Sequence, residues 1–102
     1  MRMQLQKDDI LAFLSEQKAE LFAEYRLVKI GLFGSFARNE GTADSDIDLI
    51  VEFQPHTENL FERKAGLKAL ISERFGREVD LCREKYIKPY FRDQILQSTI
   101  YV

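Results

Sequence analysis

Asp44-Ser45-Asp46-Ile47-Asp48-Leu49-Ile50-Val51-Glu52-Phe53 is the stretch on which the reading of this chain turns. From Ile47 to Phe53 it has the composition of a strand, and Pro55 stops it. With a side-chain period of two, Asp46, Asp48 and Ile50 share one side, and Ile47, Leu49 and Val51 share the other. Two carboxylates on one face can share a ligand. Magnesium prefers carboxylate oxygens, and two such ions about 3.5–4 Å apart clamp the attacking and leaving oxygens in phosphoryl transfer. A third carboxylate on a neighbouring strand would complete the site, and Asp80 in Val79-Asp80-Leu81 has that setting, one polar residue flanked by apolar ones. Repulsion within such a cluster raises some of the pKa values until a cation relieves it. An isolated Asp-x-Asp is more often a solvated strand edge, so the spacing alone proves little. Asp44-x-Asp46-x-Asp48 also imitates the start of a calcium-binding EF-hand, but the required glycine is Leu49 and the bidentate glutamate is Pro55.

Upstream, Leu27 to Phe33 reads as a buried strand that ends in Gly34-Ser35, followed by a brief helix from Ser35 to Asn39 that Gly41 closes. Backbone N–H groups at such a turn can face an anion, aided by the helix dipole, and glycine lets phosphate oxygens come close. Ser35 can cap the helix or donate to a phosphate. Arg38 can reach a phosphate or pair with an aspartate, or else form a plain surface ion pair. Neither a Walker A motif nor G-x-G-x-x-G is present.

Farther out, apolar residues between Asp9 and Tyr25 recur at helical spacing and predict one amphipathic helix, with Asp8 or Asp9 as its cap. A second long helix is expected from about Glu58 to Phe75, capped by Thr57 and stopped by Gly76. Glu78 to Cys82 reads as a third short strand. Pro89 opens a last helix that runs to about Gln97, and a short apolar tail, Ile100 to Val102, follows. This order predicts an α/β or α+β domain with a small mixed β-sheet flanked by helices.

The 102 residues, 45% hydrophobic and 31% charged, suit a single domain over residues 1–102. One cysteine, Cys82, excludes an intrachain disulfide, and neither it nor His56 is assigned chemistry. No apolar run approaches the roughly 20 residues that span a bilayer, and no signal peptide is recognisable, so a soluble cytosolic (cytoplasmic) protein is expected. A net charge of -2 argues against tight non-specific nucleic-acid binding, though not against a triphosphate held by metal and amides.

Together, Gly34-Ser35-Phe36-Ala37-Arg38, the Asp44 to Val51 stretch and Val79-Asp80-Leu81 resemble the signature of the DNA polymerase β-like nucleotidyltransferase superfamily. The likeness is greatest to its minimal nucleotidyltransferase (MNT) domains and runs from about Lys29 to Val102. The resemblance implies that the Gly34-Ser35 turn contacts the triphosphate and that Asp46 and Asp48 bind two Mg²⁺ ions. It implies that Asp80 ligates the catalytic metal and helps deprotonate the attacking hydroxyl. It further implies ATP as AMP donor and, as partner, a HEPN-domain ribonuclease toxin that is neutralised by AMP transfer to a tyrosine. A non-catalytic antitoxin that blocks the toxin by contact is the alternative. A monomeric enzyme acting on a small molecule is a third reading, weakened by the lack of room for a substrate domain.

Overall fold

The computed structural model describes residues 4–102. Its centre is a four-stranded mixed sheet in the order β3-β2-β1-β4, built from β1 (Leu27–Phe33), β2 (Ile47–Phe53), β3 (Val79–Arg83) and β4 (Ile100–Tyr101). Strand β1 runs antiparallel to β2 and β4, and β2 runs parallel to β3. The expected α/β architecture with a small mixed sheet is therefore what the chain adopts.

Alternation assigns the two faces. Ile47, Leu49, Val51 and Phe53 of β2 join Leu27, Ile30 and Leu32 of β1 and Val79 and Leu81 of β3 in one buried cluster. The register shift between Leu27 and Lys29 puts one extra residue into β1, so that Leu27 and Ile30, three apart, both reach that cluster. The helices cover this face: α1 (Lys7–Glu16) supplies Ile10 and Leu14, α2 (Lys18–Tyr25) supplies Leu21, and α4 (Leu60–Phe75) supplies Leu67 and Ile71. None of these helices, nor any other among the described residues, is long and apolar enough to cross a membrane.

Three local expectations need correction. The single helix over Asp9–Tyr25 is two, broken at Gln17, where ψ turns to 5°, and its cap is neither Asp8 nor Asp9 but Gln6, whose N–H donates to the Asp9 carboxylate one turn in. No glycine or proline marks the break, and the Gln17 N–H still bonds Phe13 O, so the apolar spacing carries no trace of it. Helix α4 starts at Leu60 behind a left-handed Asn59, not at Glu58, and Thr57 does not cap it: its hydroxyl donates to Gln54 O instead. The apolar tail is in part a strand, with Ile100 opposite Leu32 and Tyr101 opposite Gly31. The last helix, α5 (Pro89–Ser98), opens with its proline in the first turn as expected.

Candidate functional site

The residues of the sheet that point away from α1, α2 and α4 carry the chemistry. Asp48 lies out of phase with the core residues Ile47 and Leu49, and Asp80 with Val79 and Leu81. Parallel pairing puts Asp48 and Asp80 directly side by side in register. On the other side of Asp48, β1 ends at its partner Phe33, and the next residue, Gly34, touches the Asp48 carboxylate. A β-carbon on Gly34 would overlap Asp48 Oδ2 and lie 2.9 Å from its Cγ, and Gly34 has φ +77°. Glycine is thus required here twice, for the close approach and for the left-handed backbone.

Asp48 is half-buried and Asp46 and Asp80 are exposed, and no charged residue is fully buried among the described residues. Two of the three carboxylates therefore face solvent. Their mutual repulsion is present nonetheless. The Asp48 pKa is pushed up to about 6, first by burial, then by the charges of Asp80 and Asp46, against a smaller opposing pull from Arg38.

Of the remaining sequence-designated residues, Ser35 is half-buried in α3 (Gly34–Ala37), where no side chain caps the helix. Four residues align too few peptides for an appreciable helix dipole, so what the turn offers an anion is local N–H groups. Arg38 is exposed and pairs with neither aspartate; its Nε donates to Glu40 Oε1 at 2.7 Å. Cys82 sits 3.7 Å from Asp80 Oδ2, and burial and that carboxylate push its thiol upward, which keeps it protonated and unreactive at neutral pH.

One residue that the sequence reading passed over organises the site's approach. Arg77 Nη1 donates to the carbonyls of Thr42 (2.8 Å), Ala43 (3.2 Å) and Ser45 (3.0 Å), and its guanidinium lies over the Phe36 ring at 5.2 Å. It holds the loop that delivers Asp46 to β2. No sequence signal marks it, because all three acceptors are backbone carbonyls. Arg77→Ala is expected to destabilise the fold by about 1–2 kcal/mol, with Arg77→Lys in between. Urea unfolding of both variants measures this.

The resemblance to nucleotidyltransferases implies magnesium, and the donor set can be tested against it. Asp46, Asp48 and Asp80 offer hard carboxylate oxygens, and the shift at Asp48 shows that it feels the charge of both others. Among the described residues no three His, Cys, Asp or Glu side chains are already drawn into a metal-holding group. The donors fit the ion in kind, with their side chains apart.

An antiparallel pair extended by a parallel strand, with aspartates on adjacent strands beside a strand-Gly-Ser turn, is the arrangement of a nucleotidyl-transferring domain. The nucleotidyltransferase domain profile matches residues 14–102, and the chain belongs to that family of enzymes. It is similar to the protein adenylyltransferase MntA of Thermococcus cleftensis, 32% identical over 97 residues that cover 93% of this chain and 94% of that one. Among solved structures it is similar to a provisionally named minimal nucleotidyltransferase, with TM-score 0.77 and 30% identity over 97% of this chain and 98% of the other. A toxin-antitoxin structure with AMP-PNP shares the fold at TM-score 0.64 and 20% identity, over 84% of this chain and 69% of the other.

Proposed function

We propose that this chain transfers AMP from ATP, with magnesium, to a tyrosine hydroxyl of a HEPN-type toxin in the cytoplasm, and so acts as an antitoxin. The observation that carries this reading is the in-register pair Asp48 and Asp80 with Gly34 against the Asp48 carboxylate. The relative named as a protein adenylyltransferase supports a protein acceptor, and the fold shared with a toxin-antitoxin structure supports the partner.

In this reading the Gly34-Ser35 backbone and the Ser35 hydroxyl bind phosphate oxygens, and Arg38 leaves Glu40 for the same anion. Asp46, Asp48 and Asp80 would hold the two ions, which neutralise charge on the triphosphate. The acceptor oxygen attacks the α-phosphorus, a P–O bond forms, and the bond to pyrophosphate breaks. Asp80, exposed at the edge of the pair, takes the acceptor proton.

The test is incubation of the partner toxin with a substoichiometric amount of this protein, ATP and Mg²⁺, read by intact-mass spectrometry. The toxin is expected to gain AMP on a hydroxyl side chain and to stay inactive after separation, whereas Asp80→Asn binds it without modifying it. Silencing only at equimolar ratio, with no mass change and equally by Asp80→Asn, would establish a contact antitoxin instead.

A further inference from the structure

On the helical side of the molecule, α1, α2 and α4 leave between them a groove of about 810 Å³. Its floor is apolar: Leu21 is buried, and Phe13 and Leu70 are half-buried. The α4 wall is low because Gly66 and Ala69 stand there, and the space beside Gly66 meets only the Tyr25 ring. Glu20, Glu24 and Glu73 line the groove, are all exposed, and have no ion-pair partner among the described residues. The one cation that lines it, Arg74, is turned onto the rings of Phe13 and Phe75, at 5.3 Å from each.

We propose that this groove docks a basic amphipathic helix of a partner protein. Its apolar face lies on Phe13, Leu21 and Leu70, and its lysines or arginines meet Glu20, Glu24 and Glu73. An apolar trough between two helices is the shape that accepts a helix, and three unpaired carboxylates at its edge set the sign of the occupant's charge. A second copy of this chain is disfavoured, because a two-fold contact through this face would set glutamates against glutamates. The groove belongs to the helical layer, which packs on the face of the sheet opposite Asp48 and Asp80, so an occupant leaves the carboxylates open. The inference therefore stands independently of AMP transfer.

A fluorescein-labelled helix of about 18 residues made of leucine and lysine at amphipathic spacing serves as the probe. Two controls accompany it, one with glutamate in place of lysine and one with the same composition scrambled. Fluorescence anisotropy is expected to show binding of the leucine-lysine helix, with both controls weaker by about tenfold or more. Glu20→Lys/Glu24→Lys/Glu73→Lys, which reverses the rim, and Ala69→Trp, which fills the groove, should each weaken it by about tenfold as well. Circular dichroism reports that the variants are folded. Glu58→Lys/Glu62→Lys, a reversal of exposed charge outside the groove, should leave binding unchanged. Equal affinity of the two groove variants and the wild type, or equal binding of the scrambled peptide, would overturn the proposal. So would a concentration-dependent dimer in sedimentation that Ala69→Trp abolishes, since the occupant would then be a second copy. ATP binding measured on the wild type and the same variants separates the two readings: a wild type that binds the leucine-lysine helix but not ATP counts against the transferase alone, and groove variants that keep ATP binding while losing the helix support the groove alone.

Discussion

Asp48→Asn is expected to lower transfer by about a thousandfold or more while making the apo protein more stable at neutral pH. The two effects share one cause. Asp48 is half-buried beside Asp80 and within reach of the charge on Asp46, which is what a cation site needs and what an empty fold pays for. Its folded pKa of about 6 lies above the ordinary 3.8, so between those values the folded state holds a proton that the unfolded chain has released. Stability therefore falls as pH rises through this window and stays reduced above it. Removing the charge should add about 1–2 kcal/mol above pH 6, with the gain shrinking as pH falls toward 4. Thermal melts of both proteins across that range, beside the transfer assay, check both halves. Near-normal turnover by the asparagine variant would remove Asp48 from the catalytic set.

Gly34→Val should abolish nucleotide binding and destabilise the protein by about 2–4 kcal/mol. A β-branched residue is strained at φ +77°, and its first side-chain carbon would collide with the Asp48 carboxylate. From the sequence alone, such a substitution would be expected to block phosphate with little structural effect; the contact with Asp48 makes it a structural lesion as well. The two parts separate in a cycle. Gly34→Ala combined with Asp48→Gly removes the collision but keeps the strain, so the pair should be less destabilising than the sum of its members. Calorimetry with Mg²⁺ and a non-hydrolysable ATP analogue reads the binding arm, and unchanged affinity in Gly34→Val would mean that the turn touches no phosphate.

Much of this was legible before any coordinates. The strands over Leu27–Phe33 and Ile47–Phe53 have the bounds that their apolar runs and punctuation foretell, because burial on one face imposes a period that few alternatives share. The pairing of Asp48 with Asp80 was legible in type, since each is a single carboxylate inside an apolar strand. Their exact register was not, because parallel neighbours are joined by a long crossover and no local turn fixes their offset. Strand β4 escaped notice for a different reason: two residues are too few to show any period. The break at Gln17 is also silent, as helical spacing continues across it. Arg77 was missed because its three acceptors are backbone carbonyls more than thirty positions away, and carbonyls carry no sequence signature.

That clamp divides the molecule into two levels of order. The segment from Thr42 to Ser45 contributes nothing to the hydrophobic cluster, and one guanidinium holds three of its carbonyls. It can open as a unit without melting the sheet, at a free-energy cost far below that of global unfolding. Amide hydrogen exchange should then show early labelling around Thr42–Asp46 while Leu49 and Ile30 stay protected. Asp46 follows this clamped loop directly, so an Arg77→Ala preparation is expected to look native by circular dichroism while its amides from Thr42 to Asp46 exchange faster than those of the wild type.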